Sequence, residues 1–367
     1  MSTVVPFSGG TQLRSKPREH QPRLALLGTG LVGSAFVARY QRLAQRNIPL
    51  PALGWLANSR TVVQGLPTLE QALATARQAP AREGGLPPWA ESEALNAGDI
   101  VVDATASDAV ANWHPEWLAR GVHVVSANKL GRGGSLARFD AIAAAQGEQG
   151  AGRYGDSATV GAGLPLLRSL RELIAGGDRI HAVEGVLSGS LAWLFNGYDG
   201  QAPFSARVRQ AREAGYTEPD PRIDLSGEDV RRKLLILGRA AGLTLESADV
   251  RVESLVPEAL AHADAGDVDG LLPLLDAPLQ ARYQAAAGAG ERLRFVGRVD
   301  AEGACVGLQA LPPLHPLCGG TGTDNQVAIF SDRYETQPLL IQGPGAGAHV
   351  TAAALLDDVL RIVRDST

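Results

Sequence analysis

The chain has little of what builds a disulfide scaffold, a membrane protein or a nucleic-acid binder. Only two of its 367 residues are cysteines, Cys305 and Cys318, with no metal-ligand spacing around them. A single disulfide bond between them is left open as an alternative, but so few cysteines fit a reducing, cytoplasmic setting better. The net charge of −5 shows no basic excess, which argues against a nucleic-acid partner. No apolar run approaches the roughly 20 residues that span a bilayer, so we expect a soluble protein.

Apolar residues are abundant, at 45% of the chain, which is ample for a sizeable core. Residues 1–22 are polar and lack the continuous apolar segment of a signal peptide. We therefore expect a disordered tail over 1–22, followed by ordered structure.

Strands alternate with helices in the first half. Short apolar runs at Leu24–Leu27, Ala52–Ala57, Asp99–Thr105 and His123–Ser126 predict buried strands, and a helical pattern runs from Ala35 to about Arg46. This alternation is typical of a parallel sheet covered on both faces. The fold class is therefore α/β, with a Rossmann-type domain over 23–162.

The pattern changes after about residue 162. An amphipathic helix at Pro165–Ala175, a β-rich run at His181–Leu187 and hairpin-like stretches at Leu293–Val299 and Ala304–Leu311 predict an inserted α+β domain over 163–342. A glycine turn and an amphipathic helix over 343–367 are expected to return to the first domain.

A glycine motif follows the first predicted strand. Gly28, Gly30 and Gly33 satisfy G-x-G-x-x-G, in which the glycines allow a tight turn, close approach of a pyrophosphate and close helix packing. The phosphate would sit at the helix N-terminus. A plain glycine turn is the alternative, and the strand–turn–helix context favours dinucleotide binding.

The end of the second predicted strand bears on the choice of cofactor. NAD-preferring sites usually place a carboxylate there to hold the ribose 2′-hydroxyl. This chain has Asn58, Ser59 and Arg60 instead. Arg60 could pair with a 2′-phosphate, which favours NADP over NAD, although an exposed arginine after a strand is common.

Two further stretches follow predicted strands. Lys129 lies just past a buried strand, where open α/β sheets place ligands, although a lone lysine there is usually solvated. The run from Val160 to Pro165 could be a hinge between domains, a cation site built from carbonyl groups, or a connector.

The segment from Glu213 to Lys233 concentrates charge before an apolar helix. Ser226 is predicted to cap that helix, with Asp229 in its first turn. Asp229 and Lys233 are four residues apart and share one helix face. Composition alone leaves a helix cap and a functional cluster equally favoured.

Several of these stretches together resemble the homoserine dehydrogenase family, most closely the dehydrogenase half of bifunctional aspartokinase–homoserine dehydrogenases. The resemblance covers about 24–362. It is carried by the stretches Gly28–Gly33, Ala127–Lys129, Gly161–Pro165, Leu187–Leu191, Gly215–Lys233 and Gly343–Gly347.

The resemblance implies a Rossmann domain, an inserted substrate and dimerisation domain, a homodimer, and reversible NAD(P)-linked conversion of aspartate 4-semialdehyde to homoserine. It makes Lys233 the acid/base and Lys129 its partner lysine near the substrate and nicotinamide. Glu218 and Asp229 would hold the substrate's ammonium group and keep Lys233 protonated. The same pocket would be lined by Asp224, Tyr216, Gly189 and Ser190, and the cofactor would be held by Gly28, Thr29, Gly30, Leu31, Val32, Gly33, Arg60, Thr105, Lys129 and Gly345.

One departure from the family concerns a monovalent cation. Some members bind it through a glutamate, and this chain has Ser157 at that place. The backbone carbonyls of Val160, Ala162 and Leu164 remain as candidate ligands, so a cation is left in doubt.

Two other functions compete with this interpretation. Aspartate-semialdehyde dehydrogenase needs a nucleophilic cysteine, and both cysteines lie late in the chain, away from the predicted Rossmann turns. A non-catalytic NADP-binding sensor would share the fold without the chemistry. The presence of both lysines and both carboxylates argues against it.

Overall fold

The computed structural model describes residues 22–64, 68–80, 95–147 and 149–366. The tail expected over 1–22 lies outside these residues except for Pro22. None of the helices in the described part of the chain combines the length and apolar character that crossing a bilayer requires.

The first sheet has six strands in the order β3-β2-β1-β4-β5-β6. All neighbours pair in parallel except β2 and β3, which are antiparallel. Its central strands read as apolar runs because helices cover both faces. The strands are β1 Arg23–Leu27, β2 Ala52–Ala57, β3 Val62–Gln64, β4 Ile100–Asp103, β5 His123–Ser126 and β6 Tyr154–Gly155.

In the described ranges, helices α1 to α5 accompany this sheet, and α1 begins at Leu31, inside the glycine motif. The predicted start at Ala35 is wrong by one turn, because the first turn contains Gly33 and exposes Leu31, so it shows no amphipathic pattern. The bounds are α1 Leu31–Gln45, α2 Leu69–Gln78, α3 Asp108–Ala111, α4 His114–Ala119 and α5 Leu136–Gly147.

The second sheet also has six strands, in the order β12-β11-β7-β9-β10-β8. Its pairs are antiparallel except for β10 with β8. Three of its strands, β8, β11 and β12, were not predicted. The bounds are β7 Ile180–Val186, β8 Val250–Val252, β9 Arg292–Asp300, β10 Gly303–Leu311, β11 Asp324–Ser331 and β12 Tyr334–Pro344.

Helices pack on one face of this second sheet and form the larger core. Leu170 and Leu234 are fully buried there, together with Val327 from the sheet. The helices are α6 Leu166–Ala175, α7 Gly189–Asn196, α8 Phe204–Glu213, α9 Arg222–Leu225, α10 Glu228–Ala240, α11 Glu258–Ala261, α12 Val268–Leu271 and α13 Asp276–Gly288.

The last helix, α14 (Ala348–Ser366), packs beside α1. Leu355 and Leu356 of α14 share a buried cluster with Leu24 and Phe36. The segment after the second sheet thus completes the core beneath the first. The predicted α/β fold class, a parallel sheet with an added α+β part, is confirmed.

Candidate active site

A cleft of about 1230 Å³ lies where the two sheets meet. Residues that follow β4 and β5 form one wall, as expected at the carboxyl ends of parallel strands. The second wall comes from α7, α9 and α10 and from the loop before α9. The glycine turn before α14, residues 345–347, forms part of the rim. The cleft brings together predicted residues that are far apart in the sequence: Thr105, Lys129, Gly189, Ser190, Tyr216, Glu218, Asp224, Asp229, Lys233 and Gly345.

Two ammonium groups meet one carboxylate inside this cleft. Lys233 Nζ lies 2.8 Å from Asp229 Oδ2, one helical turn away on α10. Lys129 Nζ, from the loop after β5, lies 3.3 Å from Asp229 Oδ1. Lys233 is largely buried, whereas Lys129 and Asp229 are partly exposed to the cleft. The first sheet and the second domain therefore each contribute one lysine to the same carboxylate.

Burial and neighbouring charge set the protonation of this cluster. Although burial acts to raise it, the ammonium groups of Lys233 and Lys129 hold the pKa of the Asp229 carboxyl well below its usual value. Burial lowers the pKa of Lys233, and the attraction of Asp229 only partly opposes this. The attraction of the carboxylates acts in the predicted direction, toward the ammonium form of Lys233, but burial outweighs it. Burial brings the neutral amine closer to physiological pH.

The Lys233 ammonium has a second acceptor. Its Nζ donates to the backbone carbonyl of Leu187 at 2.7 Å. Leu187 follows β7 and is fully buried. The ammonium is thus held between a carboxylate on its own helix and a carbonyl at the end of a central strand.

The start of α10 differs from the prediction. The N-cap is Gly227, with φ of +78°, and not Ser226. Glycine adopts this left-handed conformation without the penalty that a side chain would bring. The Ser226 hydroxyl donates to the carbonyl of Ile223 and accepts from the N–H of Glu228. Asp229 makes its ion pairs with lysines, so the interpretation of Asp229 as a helix cap is wrong.

Residues of α7, of α9 and of the loop before α9 present further polar groups to the cleft. Ser190 Oγ donates to Asp224 Oδ1 at 2.6 Å, and the N–H of Glu218 donates to Asp224 Oδ2 at 2.8 Å. These bonds fix the backbone that carries the exposed Glu218 carboxylate. The Tyr216 ring lies 5.2 Å from that of Trp193, at the rim of the cleft.

Asn128 anchors the loop that carries Lys129. Its side-chain amide is buried and donates to Asp103 Oδ2 at 3.0 Å and to the Ser107 carbonyl at 2.8 Å. The N–H and hydroxyl of Thr105 both donate to Asp103 Oδ1. Sequence reasoning placed Lys129 correctly but gave no role to Asn128 or Asp103. The signal in the sequence that could have pointed to them was the predicted buried strand that ends in the carboxylate of Asp103.

The glycine motif has the geometry of a phosphate-binding turn. Gly28 has φ of +98°, and a Cβ on Gly33 would lie 1.9 Å from the Gly28 carbonyl oxygen, so only glycine fits at either place. Nothing lies within 4 Å of a Cβ built on Gly30, which leaves its backbone open to approach. The α1 N-terminus has no side-chain cap, so its N–H groups face a possible anion. Of the two predicted contacts that follow, Val32 lines the cleft and Leu31 is 84% exposed.

A smaller cavity of about 460 Å³ adjoins this turn, between the ends of β1 and β2. Gly28, Thr29 and Gly30 line it on one side, and Asn58, Ser59 and Arg60 line it on the other. The Asn58 side chain is used locally, since it donates to Thr29 Oγ1 and accepts from the N–H of Arg60.

A second arginine lines this cavity, and sequence reasoning missed it. Arg77 of α2 donates to the Thr29 carbonyl and to Ser34 Oγ, and Arg60 donates to the Arg77 carbonyl. Two guanidinium groups therefore border the place where an NAD site would have a carboxylate. No local motif marks Arg77, because only the packing of α2 beside β2 brings it to the cavity.

The candidate cation ligands lie in the turn before α6. Gly161 and Ala162 both have positive φ, of 72° and 51°. The Leu164 carbonyl accepts from the N–H of Leu166 at 2.8 Å. One of the three carbonyls predicted for Val160, Ala162 and Leu164 is therefore already engaged.

Carboxylates near that turn are also engaged. Asp156 pairs with Arg132 at 3.1 Å and with Arg171 at 2.6 Å, and Asp358 accepts from the Ser157 hydroxyl at 2.9 Å. Within the described ranges, no group of three or more His, Cys, Asp and Glu side chains could hold a metal ion. The donor set does not fit a cation that needs a free carboxylate beside the carbonyls.

Two family models match the chain. The model described as homoserine dehydrogenase matches residues 165–360, and the model described as homoserine dehydrogenase, NAD binding domain, matches residues 28–154. Together they match residues of both sheets and most of the residues that line the cleft.

Curated relatives carry the same description. A homoserine dehydrogenase from Emericella nidulans is 37% identical over 93% of this chain and 98% of its own length. A chloroplastic bifunctional aspartokinase/homoserine dehydrogenase 2 from Zea mays is 37% identical over 92% of this chain. The chain spans only 38% of the length of that bifunctional relative.

A solved structure shares the fold. A hyperthermophilic archaeal homoserine dehydrogenase in complex with NADPH superposes with a TM-score of 0.70 and 20% identity. The match covers 94% of this chain and 98% of that chain. At this identity the likeness concerns the architecture alone.

Proposed function

Because the chain belongs to the homoserine dehydrogenase family, we propose that it catalyses the reversible NAD(P)H-dependent reduction of L-aspartate 4-semialdehyde to L-homoserine. The observation that carries this proposal is the pair of lysines on Asp229, in a cleft that runs from the glycine motif to the second domain. The activity would serve the biosynthesis of threonine, methionine and isoleucine. We propose a reducing, cytoplasmic location, because both cysteines are free thiols.

Each of the two sheets belongs to a domain with its own proposed role. We propose a nucleotide-binding domain over 23–162 and a substrate-binding and dimerisation domain over 163–342, with 343–367 returning to the first. The glycine motif and Arg60 would hold the dinucleotide, with Thr105 and Gly345 lining the cleft toward the nicotinamide end.

Proton transfer is assigned to Lys233. When bound, the nicotinamide cofactor supplies the hydride for the aldehyde carbon. The Lys233 ammonium donates a proton to the aldehyde oxygen, which becomes the homoserine hydroxyl, and the neutral amine takes it back in oxidation. Lys129 would orient the same oxygen from the opposite wall. Because burial lowers the pKa of Lys233, its ammonium releases the proton more readily than that of an exposed lysine.

Substrate recognition is assigned to the carboxylates of the cleft. An α-ammonium group pairs well with carboxylates through charge-assisted hydrogen bonds. Glu218 is exposed to the cleft, and Asp229 is partly exposed beside the two lysines. We propose that Glu218 is the main partner of the ammonium, because both Asp229 oxygens already accept from lysines. Asp224, Ser190, Gly189 and Tyr216 would shape the same pocket.

For the cofactor, we propose NADPH in preference to NADH. Arg60 and Arg77 border the cavity at the end of β2, and none of the described residues that line it is a carboxylate. Arginine suits a 2′-phosphate because its planar fork matches phosphate geometry. The NADPH complex of the archaeal structural neighbour is in line with this choice.

A homodimer is also proposed, through the second sheet. β7 offers no free edge for this, because it lies between β11 and β9. The outermost strand on that side is β12, which has 11 residues and leaves Leu340 42% exposed. A long free edge of this kind invites pairing with a second copy.

The two rival functions lose support from the site. The residues that line the cleft include neither Cys305 nor Cys318, so no thiol is placed to form the thioester of a semialdehyde dehydrogenase. A sensor without catalysis would not need a buried, titratable lysine facing bound substrate.

The deciding experiment is turnover by the purified protein. We expect oxidation of NADPH with aspartate semialdehyde and reduction of NADP⁺ with homoserine, neither of them requiring added sodium. Folded protein that binds NADPH but turns over neither substrate would support the sensor. Reduction of NADP⁺ by aspartate semialdehyde in the presence of inorganic phosphate, with an acyl phosphate as product, would support the semialdehyde dehydrogenase.

A further inference from the structure

The Leu187 carbonyl, which holds the catalytic ammonium, has a second donor. Asn325 of β11 donates its side-chain Nδ2 to this oxygen at 3.2 Å. Lys233 Nζ donates to the same oxygen at 2.7 Å. The peptide of Leu187 is therefore oriented by Asn325 at the point where it meets the lysine.

Asn325 also lies against the glycine turn at the rim of the cleft. It pairs with Gly343 across β11 and β12, two residues before Gly345. A Cβ built on Gly345 would lie 2.0 Å from the Asn325 Cγ atom, so the backbone of Gly345 rests directly on the amide. One side chain thus touches both the turn and the carbonyl that fixes Lys233.

A purely structural role for the Asn325 amide would lower the stability of the fold, because of how the amide is buried and hydrogen-bonded. Asn325 is 0% exposed, and its Oδ1 atom is buried without a hydrogen-bond partner in the described structure. An unsatisfied buried acceptor lowers stability, and an apolar side chain of similar size would avoid that cost. We take this uncompensated cost as a sign that the Asn325 amide does more than pack.

We propose that Asn325 is a positioning residue for proton transfer. It fixes the Leu187 carbonyl in the direction of the Lys233 ammonium, and it seats the Gly345 turn in register with that lysine. The proposal rests on the function proposed above. It assigns Asn325 no contact with the substrate.

The test replaces the amide and compares it with a matched neighbour. Gln326 is the next residue on β11, is also buried, and turns its amide the other way, toward Pro316 and Gln342. Asn325→Ala and the milder Asn325→Ser are compared with Gln326→Ala and with wild type.

The first measurement is the titration of Lys233 itself, by NMR of protein labelled at the lysine side-chain nitrogens. The chain has only three lysines, Lys16, Lys129 and Lys233, so the signals can be assigned with a Lys129→Arg variant. Asp229, Lys129 and Asp224 also face this ammonium, and all three are unchanged in the Asn325 and Gln326 variants that are compared. Loss of the oriented carbonyl should lower the midpoint of Lys233 by roughly one pH unit in both Asn325 variants.

The second measurement separates kcat from KM in both directions. We expect kcat to fall roughly tenfold to a hundredfold, as for a misplaced catalytic group, with little change in the KM for semialdehyde. Gln326→Ala should change neither kcat nor the Lys233 midpoint, whatever it does to thermal stability.

The proposal is overturned if Asn325→Ala and Asn325→Ser match Gln326→Ala in both the midpoint and kcat. If Asn325→Ala does not fold, Asn325→Ser decides alone. If the Asn325 variants shift the Lys233 midpoint as expected but the wild-type protein turns over no semialdehyde, the proposed function is wrong and the positioning of Lys233 by Asn325 still holds.

Discussion

At the scale of single residues, the most informative feature is the scarcity of lysine. The chain has 31 arginines and only three lysines, and two of those lysines meet on one carboxylate. Arginine stays charged at any accessible pH, whereas a buried lysine releases its proton readily. In a chain that uses arginine almost everywhere, two of the three lysines lie in the cleft where we propose that proton transfer takes place. This signal was present in the sequence.

Replacing Lys233 tests its role directly. Lys233→Ala should lower kcat by about 10²–10⁴-fold, the usual contribution of a positioned acid or base. Lys233→Arg keeps a positive charge beside Asp229 but loses the titratable amine, so oxidation of homoserine should fall on the same scale. Steady-state kinetics in both directions checks this, with circular dichroism as the control for folding. Near-normal turnover by Lys233→Arg would exclude Lys233 as the proton carrier.

The pH dependence of the wild-type enzyme gives an independent check. Burial lowers the pKa of Lys233, so the neutral amine is populated at lower pH than for a free lysine. Oxidation needs the neutral amine and should rise with pH through this lowered pKa. Reduction needs the ammonium and should fall over the same range. If kcat has the same pH optimum in both directions, another group titrates.

Asp229 should act on binding more than on folding. Asp229→Asn removes the charge that both lysines share, so we expect a raised KM for semialdehyde and a lowered kcat. The melting temperature should change little, since the residue makes no cap. Asp220→Asn is the control, because Asp220, in the loop before α9, pairs with Arg222 and does not line the cleft. Early melting with normal kinetics would restore a structural role for Asp229.

At the scale of elements, β2 and α2 together set the cofactor preference. Arg60→Ala and Arg77→Ala should each raise the KM for NADPH roughly tenfold, as expected for loss of a charged hydrogen bond to phosphate. The KM for NADH should change much less, because NADH has no 2′-phosphate. Arg46, exposed at the end of α1 and outside the cavity, provides the control as Arg46→Ala. Equal effects on both cofactors would show that neither arginine reads the 2′-phosphate.

The elements that sequence predicted well are those with a strong local signal. The bounds of β2 and β5 were predicted correctly, because buried parallel strands are short apolar runs with polar ends. β11 and β12 were missed, since their sequences mix amide and charged residues with apolar ones. Lys129, Asp229 and Lys233 were found through pattern and resemblance. Arg77, Asn128 and Asn325 were missed, because their roles arise only when distant segments pack together.

At the scale of the whole molecule, the free edge of the second sheet predicts self-association. Light scattering should give twice the mass of one chain at micromolar concentration. Leu340→Lys places a charge on the exposed face of β12 and should shift the protein toward monomer. Leu314→Lys, at a fully exposed loop position outside the strands, is the control. A wild-type monomer would remove the dimer from the proposal.

The return of α14 to the first domain has a consequence for how the protein is made on the ribosome. The apolar face around Phe36 is covered only when Leu355 and Leu356 arrive, after the whole second domain has been synthesised. Domains generally fold in the order in which they emerge, but here the first unit must wait for α14, which follows the second domain. A nascent chain stopped near residue 162 would carry an uncovered apolar surface, and we expect a chaperone to bind that surface until α14 has been synthesised.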